Sequence, residues 1–209
     1  MIRFLYADQL DAFPKLRDAM FRDRADQFKR RLGWEVRVDE NGFERDEYDD
    51  LNPLYVIWET PGGGHGGSMR FLPSVGRTMV NDHFAHLTDA RIASPAIWEC
   101  TRFCLAADAA PNVSALLMLA GSELMTRFHV THFVGVFDAR MVRIYQRIGA
   151  SPEVLGSVGE GRDQISVGLW SFTQPALLRL QKRAGVSLEV SRFWAQRAFG
   201  DGDQTAWAA

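Results

Sequence analysis

An otherwise apolar stretch, Trp98-Glu99-Cys100-Thr101-Arg102-Phe103-Cys104, carries a carboxylate and a guanidinium where a buried strand ordinarily carries neither. A charge inside a core is costly unless it is paired or hydrogen-bonded, and such groups concentrate where a protein does chemistry. The bland alternative is an ion pair between Glu99 and Arg102. Two further groups sit where folding alone would not ask for them: Arg24, Phe28 and Trp34, the first two one helical turn apart on one face, and the acidic run Glu44-Arg45-Asp46-Glu47-Tyr48-Asp49-Asp50. On its own that run reads as a solvated loop. A glutamate in an apolar strand has its pKa raised toward working pH and suits accepting a proton, while arginines hold carboxylates and aromatic faces wall a cation or a base.

The elements that must position these groups follow from periodicity. Ile2–Tyr6 is a strand, Gln9–Phe28 reads mainly helical with Leu10, Phe13, Leu16 and Met20 at helix spacing, and a second short helix ends at Gly33. Leu54–Trp58 and Ser68–Leu72 form antiparallel strands around the glycine-rich tip 62–67. Ala96–Leu105 is a strand, Val113–Phe128 an amphipathic helix, His132–Phe137 an apolar strand, and Ala139–Arg147 a basic helix closed by Gly149. Strands at Glu153–Val158 and Ile165–Ser171 and a helix at Pro175–Ala184 complete the chain. This order predicts an α/β fold, a mixed sheet flanked by helices. Residues 99 and 102 are an odd number apart, so a regular strand would aim them at opposite faces, and a shared site requires a bulge between them.

Composition bounds the rest. The chain has 209 residues, 46 % hydrophobic and 24 % charged, with a formal net charge of -2. That is enough to bury one core, so 1–199 is expected to be a single domain and 200–209 a loose tail. Nothing in the balance of charge favours nucleic acid, and no window resembles a signal peptide or a membrane span, so a cytoplasmic protein is expected. Cys100 and Cys104 would lie ~13 Å apart on a strand and are expected to be reduced. The glycine run lacks the Gly-Lys-Ser/Thr of a phosphate loop, the histidine pairs at 83/86 and 129/132 lack a completed metal set, and no nucleophile elbow is present. No metal site is expected.

The ordered set Arg24, Phe28, Trp34, Asp46, Asp49, Arg70, Glu99 and Arg102 resembles the invariant set of the acyl-homoserine-lactone synthase (autoinducer synthase) family. The resemblance covers roughly the first half of the chain by residue and the remainder by layout. It implies a GNAT-like α/β/α sandwich with a splayed central sheet. It further implies S-adenosylmethionine as the amine-bearing substrate, with no bound cofactor, and an acyl thioester on an acidic acyl carrier protein, or on coenzyme A, as donor. Under that reading Glu99, Arg102 and Asp46 are catalytic. Arg24, Phe28, Trp34, Asp46, Asp49 and Arg102 bind S-adenosylmethionine, and Arg70, Phe71 and Gly135 lie on the acyl-donor and oxyanion side, with donors expected from backbone N–H groups after Arg70.

Residues 140–197 hold nine basic against four acidic side chains, about +5 in a chain that is negative overall. Arg140, Arg143 and Arg147 share a helix face and are expected to dock an acidic carrier. The acyl pocket is expected between sheet and helices, lined by Leu117, Leu124, Met125, Val134, Val136 and Phe137. Gly135, without a hydroxyl or a side chain, favours an unsubstituted, medium-to-long acyl chain. Two rival readings share the residues: a GNAT-type acyl-CoA N-acyltransferase on another amine, and a non-catalytic S-adenosylmethionine or acyl-carrier sensor. Against the first, Arg77-Thr78-Met79-Val80-Asn81 lacks the glycines of the usual pyrophosphate loop.

Overall fold

The computed structural model describes residues 1–200, so the tail expected at 200–209 lies, beyond Gly200, outside the described residues. Seven strands, β1 (Ile2–Tyr6), β2 (Leu54–Glu59), β3 (His65–Pro73), β4 (Ile97–Leu105), β5 (His132–Asp138), β6 (Glu153–Val158) and β7 (Ile165–Trp170), make one sheet in the order β1-β2-β3-β4-β5-β7-β6. All neighbours are antiparallel except β4 and β5. That parallel pair is joined by α3 (Val113–Phe128), the crossover that parallel strands require.

Period-two alternation sorts the sheet's side chains onto its two faces. Ile2, Phe4, Leu54, Val56, Met69 and Phe71 pack under α3, α5 (Gln174–Ala184) and α6 (Leu188–Phe199). Leu5, Tyr55 and Ile57 point the other way, onto Leu16, Met20 and Phe21 of α1 (Pro14–Arg24). A short α2 (Met79–His83) covers the β5–β7 part of that second face through Val80, against Val134 and Val167. α4 (Ala139–Ile148) follows β5 and is stopped by Gly149 at φ +78°. No helix among the described residues is long and apolar enough to cross a membrane.

Three expectations need correction. The helix expected over 9–28 is a 3₁₀ segment at Ala7–Ala12, then α1 starting on Pro14, then a π-helical turn at Ala25–Arg31 in place of a second helix. Proline is at home in a helix's first turn, and apolar spacing does not separate i→i+4 from i→i+5 bonding. α3 is buried nearly all round rather than amphipathic, because α5 and α6 close over its outer side. α6 itself was not anticipated, although Ser187 caps it by accepting from the Val190 N–H at 3.3 Å.

Two irregularities matter most. β4 and β5 pair only at Ile97–His132, Trp98–Phe133 and Glu99–Val134, after which the strands part. Between Ser68 and Arg70 β3 advances two residues while β4 advances three, from Cys104 to Thr101, and Arg102 takes φ +53°. This is the expected bulge.

Candidate active site

The bulge turns Arg102 toward the same face as Thr101, where it meets a closed ring of alternating charges. Arg24 donates Nε to Glu44 at 2.6 Å and both terminal nitrogens to Asp49 at 3.0 and 2.9 Å. Glu44 accepts from Arg102 Nη2 at 2.9 Å, and the same nitrogen lies 2.6 Å from Asp46. Arg70 closes the circuit with Nη2 on Asp46 at 3.0 Å, Nη1 on Asp49 at 2.7 Å and Nε on the Thr101 hydroxyl at 3.0 Å. The Tyr55 hydroxyl adds a bond to Asp49 at 2.5 Å. Three guanidinium groups face three carboxylates, so the ring is neutral.

Four members, Arg24, Glu44, Asp49 and Arg70, are sealed from solvent, whereas Arg102 and Asp46 keep 11 % and 13 % of their side-chain surface. Of the two open members, Arg102 also lines the cavity beside the ring. Burial alone would push both aspartates up, but Arg24 and Arg70 hold Asp49 far below the usual carboxylate range, and Arg70 and Arg102 lower Asp46. Neither is a good proton acceptor at neutral pH.

Glu99 behaves oppositely. It is 1 % exposed, and its two oxygens accept from the first backbone N–H groups of α2, Val80 at 2.6 Å and Met79 at 3.1 Å. Burial raises its pKa, and these two bonds offset part of the rise. It makes no pair with Arg102, so the simple buried pair considered from sequence is not what the strand holds.

A cavity of about 610 Å³ opens beside the ring. Cys100 and Thr101, adjacent on β4 and therefore aimed at opposite faces, both line it. It thus passes through the sheet where β4 and β5 part. On the ring's face its wall is Phe28 stacked on Trp34 (centroids 5.1 Å, planes 9° apart), with Arg102 over Phe28 at 5.5 Å. On the α3 face it becomes an apolar chamber bounded by Met69, Phe71, Met118, Gly121, Phe133 and Trp170.

The autoinducer synthase family model matches residues 9–171. An acyl-homoserine-lactone synthase of Rhizobium etli is 37 % identical over 97 % of this chain and 99 % of its own length. The chain belongs to the autoinducer synthase family. It is an enzyme, an acyl-homoserine-lactone synthase by class, with a GNAT-like α/β fold. Among solved structures it is similar to the CoA-dependent acyl-homoserine lactone synthase MesI (19 % identity, 90 % of this chain and 96 % of that one, TM-score 0.77). It is equally similar to the CoA-dependent synthase BjaI, solved with SAM and isopentyl-CoA (22 %, 89 % and 90 %, 0.77). At those identities the likeness is one of fold.

Of the eight residues that carry the autoinducer synthase resemblance, Arg24, Asp46, Asp49, Arg70 and Arg102 share the ring. Phe28 and Trp34 stand next to it, and Glu99 lies behind Thr101 at the foot of α2. Arg70, read from sequence on the acyl-donor side, is instead a fully buried member of the ring. The N–H groups after Arg70 are not free either, since Phe71 pairs with Leu54 on one side and Cys100 on the other. The unpaired sheet edges are those of β4 and β5 beyond Glu99 and Val134. Of the expected acyl-pocket residues only Val136 and Phe137 line the cavity. Gly135 leaves no spare room, because a Cβ there would sit 2.8 Å from the Cys100 carbonyl oxygen and 3.2 Å from the Trp170 ring. Arg140, Arg143 and Arg147 are all exposed on α4, Arg140 while also paired with Asp138 through Nε at 2.9 Å.

Sequence reasoning missed Glu44 and Gln27. Counting charge would have found the first: three buried arginines need a third buried carboxylate, and the acidic run offered it. Gln27 donates to the Phe103 carbonyl and accepts from the Leu105 N–H, both at 2.9 Å, and so satisfies the edge of β4 that lost its β5 partner. No sequence signal marks it.

Proposed function

We propose that the enzyme joins the α-amine of S-adenosylmethionine to the acyl group of an acyl thioester and then closes the lactone. One observation carries this reading: a single cavity couples a charged mouth, fit for a zwitterionic amino acid, to an apolar chamber, fit for a hydrocarbon chain, through the gap between β4 and β5. In the mouth Arg102 receives the methionyl carboxylate and Asp46 the ammonium, while Phe28 and Trp34 wall the adenosyl group. Arg24, Arg70, Glu44 and Asp49 hold that pair in place.

The ammonium must lose a proton before it can attack. Glu99 is the acceptor, through a water, because burial raises its pKa while the ring's aspartates are held low. The amine nitrogen then bonds to the thioester carbon, the carbon–sulfur bond breaks, and the thiol leaves with a proton. Finally the methionyl carboxylate attacks its own γ-carbon and expels methylthioadenosine, a step the sulfonium already activates. The donor is carried by an acidic carrier protein that meets Arg143 and Arg147 in the cytoplasm, with coenzyme A as the alternative carrier.

Mixing enzyme, S-adenosylmethionine and an acyl-carrier thioester should release methylthioadenosine and an acyl-homoserine lactone. Free thiol without methylthioadenosine would instead indicate acylation of some other amine, and binding without turnover a sensor. Glu99→Gln should lower turnover roughly 10²–10⁴-fold. Reversing Arg143 and Arg147 to Glu should raise the KM for the carrier-bound donor and spare small thioesters; equal loss on both removes the docking role.

A further inference from the structure

The chamber on the α3 face is largely apolar, and one polar group in its lining stands apart. Tyr145, on α4, is 7 % exposed, lines the cavity, and packs edge-on against Phe137 (5.5 Å, 87°) and Trp170 (5.1 Å, 72°). The other donors and acceptors nearby are committed. The Trp170 indole N–H goes to the Ala150 carbonyl at 3.0 Å, Asp138 accepts from the backbone and guanidinium of Arg140, and the Cys100 thiol faces the Met69 sulfur at 3.8 Å. The Tyr145 hydroxyl has no hydrogen-bond partner among the described residues, and no partnerless side-chain oxygen there is sealed away from open space. Tyr145 lines the cavity, and its oxygen keeps a contact with open space. Burial pushes its pKa up, with the Cys100 thiol and Asp138 adding to the rise, so it stays a protonated donor at any working pH. A Cβ on Gly135 would touch both the Trp170 ring, on which Tyr145 packs, and the carbonyl of Cys100, which follows Glu99, the last residue of β4 paired with β5, so Tyr145 lies near the gap through which an acyl chain would pass into the chamber.

An empty chamber lets water satisfy that hydroxyl, but a plain hydrocarbon displaces the water and leaves the donor buried and unpaired. We propose that Tyr145 selects acyl donors bearing an oxygen, oxo or hydroxyl, at the 3-position, by donating a hydrogen bond to it. This rests on the acyl-transfer reading above and deepens it. It replaces the expectation of an unsubstituted chain drawn from Gly135, whose missing side chain leaves no space.

The test compares thioester donors of one chain length with and without a 3-oxo or 3-hydroxyl group, reading methylthioadenosine release. The enzyme should prefer an oxygenated donor by roughly 10–100-fold in kcat/KM, the factor set by leaving one buried donor unsatisfied. Tyr145→Phe, which keeps the ring and its packing, should bring the ratio to one or below, by raising kcat/KM for the plain donor, which no longer strands a hydroxyl, and lowering it for the oxygenated one, which loses its partner. Equal kcat/KM for the donors in the unaltered enzyme overturns the proposal, as does a preference that survives Tyr145→Phe. No methylthioadenosine from any donor would instead overturn the acyl-transfer reading itself.

Discussion

The two ends of the cavity are built by opposite rules. On the α1 face six charged side chains are locked to one another before any ligand arrives, and only Arg102 and Asp46 turn an edge outward. On the α3 face the walls are defined by bulk, with a glycine at 121 and one hydroxyl without a partner among the described residues. A pre-organised polar site holds a small reactant at a fixed angle, since its dipoles need no rearrangement during reaction. A chamber defined by volume grades chains by size. The first half should therefore break sharply when altered and the second should retune.

The largest effect is expected inside the ring. Glu44→Ala leaves Arg24 and Arg102 without a shared partner in a dry site, and breaking a buried pair in this way costs about 3–5 kcal/mol. Thermal unfolding should show a melting temperature lower by roughly 10 °C or more. A drop no larger than that of a surface substitution would mean the ring is not sealed.

Arg102→Ala should separate stability from function, because its open edge lets water replace part of what is lost. Methylthioadenosine release is expected to fall roughly 10–100-fold, as for removing a charged hydrogen bond, with a smaller loss of stability than in Glu44→Ala. The chamber should respond differently. A Cβ on Gly121 would lie 3.4 Å from the Phe133 ring, an ordinary contact, and 3.7 Å from the Met69 methyl. Gly121→Ala is thus expected to stabilise α3 by up to about 1 kcal/mol with an unchanged product, whereas Gly121→Val, reaching further, should shorten the longest chain accepted. Mass spectrometry of the lactones formed distinguishes the two.

The smallest effect is the part of the pH dependence of stability that belongs to Glu99, where the two kinds of carboxylate have opposite signs. Asp46 and Asp49 have lowered native pKa values, so their contribution is present above the ordinary carboxylate range and is lost as pH falls through the native values. Glu99 has a raised value, so its contribution is present below about 4.5 and is lost as pH rises through the native one. In Glu99→Gln the acid-side loss should persist while the shallow decline above 4.5 disappears.

How much of this was legible beforehand follows the same division. Period-two and helical patterns placed β4, α3, β5 and α4 within a residue, and the odd spacing of Glu99 and Arg102 demanded the bulge that the left-handed Arg102 supplies. The partners inside the ring were not legible, because Arg24 and Asp49 are far apart in the chain and meet only through tertiary packing. The place of Arg70 inside the ring was not legible for the same reason. The chamber's lining failed differently. Leu117 and Leu124 satisfy the pattern for a sheet-facing helix, but the chamber borders the turn carrying Met118 and Gly121, a rotation that periodicity does not fix.

The exact cancellation of charge in the ring sets how the enzyme responds to ionic strength. Three positive and three negative groups closed on one another project little field beyond their own walls, and mobile counter-ions cannot reach the four that are sealed. Added salt should leave the bonds among these groups largely intact; under the docking proposed for the exposed arginines of α4, a salt titration should raise the KM for a carrier-bound donor while leaving the ring itself unchanged.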